Sequence, residues 1–140
     1  MKPPVSKSPG SQQNEALLAA AREASARAYA PYSHFHVGAA VLADDGRVFT
    51  AANVENASYG LTSCAERNAI FAAVSAGVRH VIAVAIHTPT AQPVSPCGAC
   101  RQVIQEFGPD VTVVSCCDGG GCCSWSIEEL LPDAFETKDL

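Results

Sequence analysis

The chain has little charge, and what it has is nowhere concentrated. Of its 140 residues 16% are charged, and the nine basic ones are scattered from Lys2 to Lys138. There is no Lys/Arg stripe of the kind a phosphate backbone demands, and 14 acidic residues leave a net charge of −5. Nucleic acid and anionic membrane surfaces are therefore not expected as partners; a neutral or cationic small ligand suits the chain better. No apolar run reaches the ~18–20 residues of a membrane span. Met1 to Gln13 is polar and Pro-rich and lacks the apolar stretch of a secretion signal. No internal repeat or interior linker interrupts the rest. Disorder is excluded as well, since 48% of the residues are apolar. The length is that of one domain able to bury its own core. These features predict a flexible tail over residues 1–13, a single domain over 14–140 and a reducing, cytoplasmic setting. Cysteine, by contrast, is abundant, with seven in the chain. In a reducing compartment clustered cysteines bind metal or do chemistry more often than they form bridges, and an odd number argues against a complete disulfide set.

Asn14 to Ala30 is rich in helix formers and ends at Pro31. His36–Ala43 and Arg47–Val54 are short apolar runs around the turn residues Asp44, Asp45 and Gly46, which predicts a hairpin. Ser63 and Glu66 have the spacing of a capping box, so a second helix is expected from Ser63 to a stop at Gly77. His80–His87 reads as a buried strand with solvated ends. Ser95 before Pro96 predicts the cap of a third helix, closed by Gly108-Pro109. Val111–Ser115 and a run from Cys122 read as strands about a turn at Asp118–Gly121, followed by a short helix near Ile127–Leu131. The order α-β-β-α-β-α-β-β-α implies one mixed sheet with helices on its faces, the strands joined through helices running parallel.

Two segments carry chemistry: Cys64-Ala65-Glu66 and Pro96-Cys97-Gly98-Ala99-Cys100, each at a predicted helix N-terminus. Cys97 and Cys100 are three apart, so one helical turn can aim both thiols at a single point. Cys64 supplies a third. Three protein ligands and one open position are the pattern of a catalytic zinc, and helix N-termini favour the thiolates it needs. Three thiolates on Zn²⁺ leave a net negative charge, for which Arg67 and Arg101 are candidate compensators; each could instead be an ordinary surface or capping arginine, the stronger reading for Arg101 and the weaker for Arg67. Glu66 has two readings. It completes a capping box with Ser63, or it is a general acid/base two residues from a metal ligand; with three ligands around it the second reading is stronger. Cys-x-Glu followed by Pro-Cys-x-x-Cys is close to the zinc deaminase signature, with Cys replacing its first His.

The chain resembles the small homotetrameric cytidine deaminases from about Glu15 to Leu140. The resemblance rests on Ala30–Phe35 (APYSHF), Val37–Ala40 (VGAA), Asn53–Ala57 (NVENA), Cys64–Arg67 (CAER), Pro96–Gln102 (PCGACRQ) and Glu128–Pro132 (EELLP) with Phe135. It implies a three-layer α-β-α sandwich around one five-stranded mixed sheet. It implies one Zn²⁺ per subunit on Cys64, Cys97 and Cys100, with Glu66 as proton shuttle and Arg67 offsetting the thiolate charge. Asn53 and Glu55 match a pair that binds the ribose 3′-hydroxyl, Phe35 an aromatic that packs on the pyrimidine, and Ala65 a substrate contact. The main chain near Ala57, with Tyr59 and Phe135, resembles parts that complete a neighbouring subunit's pocket in a homotetramer. The implied activity is deamination of cytidine and deoxycytidine to uridine and deoxyuridine, in pyrimidine salvage.

Rival readings are a deaminase of another aminated heterocycle of the blasticidin S type, a structural zinc module, and a thiol redox protein using Cys97 and Cys100. The last two leave Glu66 beside Cys64 unexplained. Cys116, Cys117, Cys122 and Cys123 form a second cluster outside the resemblance. They read as small residues filling strand ends, with a second metal site or an oxidation-sensitive disulfide as alternatives. His34 and His36 are expected as loop or pocket-rim residues, and Trp125 in packing or an interface.

Overall fold

A computed structural model describes residues 12–140, and the elements follow the expected order. Helix α1 spans Gln12–Ser25; strands β1 and β2, Gly38–Ala43 and Val48–Ala52, form the expected hairpin. Helix α2 covers Ala65–Ser75, β3 Val81–Thr88, α3 Gly98–Phe107, β4 Thr112–Cys117, β5 Cys122–Ser126 and α4 Ile127–Leu130. Short 3-10 turns at Tyr59–Leu61 and Thr137–Asp139 were not foreseen. The tail expectation for residues 1–11 lies outside the described residues, whereas Gln12 and Gln13 belong to α1. That helix also stops five residues before Ala30. No helix among the described residues is long and apolar enough to cross a membrane.

The sheet has five strands in the order β2-β1-β3-β4-β5. Only β3 and β4 pair in parallel; the other neighbours are antiparallel. The alternation of β1 explains the layers. Ala40 and Leu42 join Leu17 and Ala21 of α1 and Ala85 of β3 on one face. Ala39, Val41 and Ala43 join the larger cluster on the other, with Ile70 of α2, Ile104 of α3 and Leu130 of α4. Every residue of β1 is buried, so this strand is covered on both faces, as an expected α-β-α sandwich requires. The fully buried Ile70, Ile86 and Ile104 each contribute roughly 1.5–3 kcal/mol relative to exposure.

Both helix starts that bear cysteines differ from expectation. Cys64, not Ser63, is the N-cap of α2, and no side chain caps that helix. Ser63 instead pairs its backbone with Val54, its N–H donating to Val54 O at 2.9 Å and its carbonyl accepting from Val54 N at 3.0 Å. This bridge holds Ser63 extended and moves the helix start one residue on. Glu66 thus sits at the second helical position instead of the third, and the capping box does not form. At α3 the N-cap is Cys97, two residues after the expected Ser95.

Small residues let α1 lie close on the sheet. A Cβ at Gly38 would stand 1.8 Å from the Ala21 carbonyl oxygen and 2.5 Å from Ser25 N. Both are backbone atoms, so relief requires moving the helix. Gly38→Ala is expected to lower stability by about 1–3 kcal/mol, read from the urea midpoint at unchanged m-value. A variant as stable as the parent would show that α1 is not seated this tightly.

Candidate metal centre

The N-termini of α2 and α3 meet at one point. Cys64 directly follows the bridged segment 54–63 and caps α2; Cys97 caps α3; Cys100 lies in the first turn of α3. Their three sulfurs all lie within 4.8 Å of one another, and Cys64 Sγ is 3.7 Å from Cys97 Sγ. Two sulfurs bound tetrahedrally to zinc at ~2.3 Å are about 3.8 Å apart. The donor set and its spacing therefore fit zinc. No other group of three such ligands is found among the described residues.

The electrostatics favour anionic sulfur. The Cys64 thiol is pulled down to about 5, first by a hydrogen bond from Cys100 and then, against burial, by hydrogen bonds from Arg67 and Cys97. The same Cys100–Cys64 bond, together with burial, pushes Cys100 up, so the first negative charge belongs to Cys64. Arg67 Nη2 donates to Cys64 Sγ at 3.5 Å, and its Nε is buried with no hydrogen-bond partner. The guanidinium thus serves this corner and is spent nowhere else. Arg101 is different. Its three nitrogens donate to Pro96 O at 2.7 Å, Leu130 O at 2.8 Å and Ser95 Oγ at 2.8 Å. It ties the segment before Cys97 to the end of α4, in keeping with the reading of Arg101 as an ordinary capping arginine.

Beside the sulfurs lies a cleft of about 400 Å³. Phe35, Asn53, Glu55, Ala65 and Glu66 all line it with Cys64 and Cys97. Glu66 is only 5% exposed. Burial raises its carboxyl to about 7, with the nearby Cys64 charge adding to the rise and its own backbone N–H and Arg67 opposing it. A carboxyl so placed can hold a proton or release one near neutrality.

Asn53 and Glu55 are largely committed to building the cleft wall. Asn53 is buried; its Oδ1 accepts from Val37 N at 2.8 Å and its Nδ2 donates to Phe35 O at 2.7 Å. One amide N–H and one lone pair remain for a ligand. Glu55 Oε1 accepts from the backbone N–H groups of Tyr32 and Ser33 at 3.0 and 3.2 Å, and Oε2 from the Ser33 hydroxyl. The Ser33 bonds hold the Glu55 carboxyl below its usual range. Ser33, Thr62, Thr88 and Val94 also line the cleft. None was singled out in the sequence, where isolated small residues carry no spacing signal. His34, with a positive φ of 59°, and His36 lie in the loop before β1 and do not line the cleft, which agrees with the loop reading.

Ala57, Tyr59 and Phe135 stand outside the cleft of their own chain. Tyr59 is 74% and Phe135 58% exposed, and Ala57 is exposed beside Tyr59. The Tyr59 ring packs on Tyr32 with centroids 5.9 Å apart, and the Phe135 carbonyl accepts from Gln102 Nε2 at 2.9 Å.

Residues 11–117 match the family described as the cytidine and deoxycytidylate deaminase zinc-binding region. A cytidine deaminase from Halalkalibacterium halodurans is 50% identical over 125 residues, 89% of this chain and 95% of that protein. The crystal structure of a cytidine deaminase from Burkholderia pseudomallei superposes with a TM-score of 0.84 at 52% identity, covering 86% of this chain and 98% of the other. A blasticidin-S deaminase from Bacillus cereus is more distant, 35% identical over 130 residues, 87% of this chain and 91% of that protein.

Because Asn53 joins β2 to the segment carrying Phe35, Asn53→Ala leaves Val37 N and Phe35 O without these partners. It is expected to cost about 1–3 kcal/mol for the buried Val37 N–H and less for the part-buried Phe35 carbonyl, roughly 2–4 in all, measured by urea unfolding. A loss below ~0.5 kcal/mol would show that the wall is held by something else.

Proposed function

The chain belongs to the cytidine and deoxycytidylate deaminase zinc-binding family, and we propose that Cys64, Cys97 and Cys100 hold one zinc ion while Glu66 moves the protons of the reaction beside it. The activity is zinc-dependent hydrolytic deamination of cytidine to uridine and ammonia. The observation that carries the residue assignment is the convergence of three thiols on a cleft that also buries a carboxyl.

Bound zinc supplies Lewis acidity, which makes a water nucleophilic near neutral pH. Glu66 takes a proton from that water and delivers it to N3 of the base. It then takes the second proton of the same water and passes it to the exocyclic amine, which leaves as ammonia as the C4–N bond breaks and the water's oxygen stays on C4. Burial suits Glu66 to this traffic, since its two protonation states are close in free energy. Arg67 offsets the thiolate charge through its bond to Cys64.

Phe35 offers an aromatic face to the pyrimidine from the cleft wall. Asn53 and Glu55 meet the ribose 3′-hydroxyl with the hydrogen-bonding capacity left over from holding the wall, and Ala65 bounds the base at the first turn of α2. Deoxycytidine is a substrate on the same grounds, because this set of contacts does not include the 2′-hydroxyl. Ala57, Tyr59 and Phe135 complete the cleft of a neighbouring copy in a homotetramer; their exposure on the outer surface supports that reading. The role is in pyrimidine salvage, in a cytoplasmic setting that keeps the three thiols reduced.

Product chromatography with cytidine, deoxycytidine, cytosine, CMP and blasticidin S tests this reading. Uridine and deoxyuridine are expected from the nucleosides, with cytosine, CMP and blasticidin S unchanged. Turnover of blasticidin S alone would overturn the substrate assignment in favour of the other heterocycle. Elemental analysis is expected to give one zinc per chain, falling well below one in Cys100→Ser; an undiminished zinc content in that variant would remove Cys100 from the ligand set.

A further inference from the structure

The second cysteine cluster divides by strand face. Cys117 and Cys123 are buried, and Cys117 Sγ contacts the Gly121 and Ala91 carbonyls at 3.4 and 3.5 Å. Cys116 and Cys122 are directly opposed in the β4–β5 pairing and joined as a disulfide. Small-residue packing therefore describes one pair, and the other is a covalent bridge.

The bridge is reachable. Cys116 and Cys122 are both only partly buried. Cys116 lines a cleft of about 600 Å³ between α1 and the sheet, together with Arg22, Glu23 and His87. His87 is not at a solvated strand end as its sequence position suggested. It is 7% exposed, in register with Cys116, and its Nε2 lies 2.8 Å from Asp118 Oδ1 in the turn that the disulfide closes. A small thiol can enter from this side without crossing the core.

The bridged turn also braces the wall of the zinc cleft. Asp118 N donates to Thr88 O at 3.1 Å and Gly119 N to Thr90 O at 3.1 Å. At Gly119 even a Cβ would meet the Ala91 carbonyl at 2.3 Å, so the two segments are in close contact. The supported stretch runs on to Val94, which lines the zinc cleft as Thr88 does, and to Cys97.

We propose that Cys116 and Cys122 form a reversible thiol–disulfide exchange site whose state sets the rigidity of the 88–95 segment. The co-reactant is a dithiol. One of its thiolates attacks a sulfur of the bridge, the Cys116–Cys122 bond breaks and a mixed disulfide forms. The second thiol then displaces the cysteine, and the dithiol leaves as its cyclic disulfide. Two electrons and two protons pass to the protein, which gains two thiols. Reoxidation by a disulfide of the same class reverses the exchange.

The test uses the folded, zinc-loaded protein poised with mixtures of reduced and oxidised dithiothreitol, alkylated and mapped by mass spectrometry. Cys116 and Cys122 are expected to become alkylated together as the dithiol fraction rises, and to be protected again on reoxidation. In parallel, amide hydrogen exchange over residues 88–95 and 116–122 should be about tenfold faster or more in the reduced state, since the cross-link no longer restrains the turn. The double variant Cys116→Ser/Cys122→Ser should show the faster exchange at every poise. The proposal is overturned if the pair is alkylated without any dithiol, if it stays closed until the protein unfolds, or if amide exchange is the same in both states.

Discussion

Cys64 and Cys97 each stand where a helix begins, and the site depends on those two beginnings lying 3.7 Å apart at their sulfurs. Two parts of the fold impose this. The bridge between Ser63 and Val54 fixes the chain entering α2. Arg101 fixes the chain entering α3, through bonds to Ser95, Pro96 and the last turn of α4. Between them the packing of Ile70 and Ile104 in one core holds the two helices on the same face of the sheet. Helix N-termini favour anionic sulfur, and here Arg67 adds a full positive charge to one of the three.

The same geometry gives Glu66 its character. As the residue two places after the cap it cannot close a capping box on Ser63, so its carboxyl turns to the cleft and is buried beside the sulfurs. Burial alone would make an unpaired carboxylate costly. The raised proton affinity that results is the property a proton carrier needs. The opposite wall is built on other logic: Asn53 and Glu55 satisfy loop N–H and C=O groups first, and present to a ligand only what is left. Structural and binding roles there are carried by the same side chains.

Much of this was legible in the sequence because it is local. Cys64-Ala-Glu66 and Cys97-x-x-Cys100 announce themselves by spacing, and the hairpin and the buried strands by their turn residues and apolar runs. The layered sheet followed from the alternation of elements. What escaped was set by long-range contacts. Ser63 matched the capping spacing, but its pairing with Val54 took it out of the helix. That Arg101 caps was open to a sequence reading, but its partner Leu130 was not, because it is far away in sequence. His87 read as a solvated end because Asp118 covers it only once β3 and β4 are paired. The Cys116–Cys122 bridge needed the β4–β5 register, which cysteine counting cannot supply.

The central claim is that a buried carboxyl beside three metal-binding thiols does the proton work. Glu66→Gln tests it most directly, because the amide keeps the shape of the side chain and cannot take up the proton. Zinc content and the rate of uridine formation should be measured on the same preparation. The account predicts one zinc per chain and a kcat lower by roughly 10²–10⁴-fold, the usual worth of a positioned general acid/base. A zinc-loaded variant that turns over cytidine at the parent rate would contradict it.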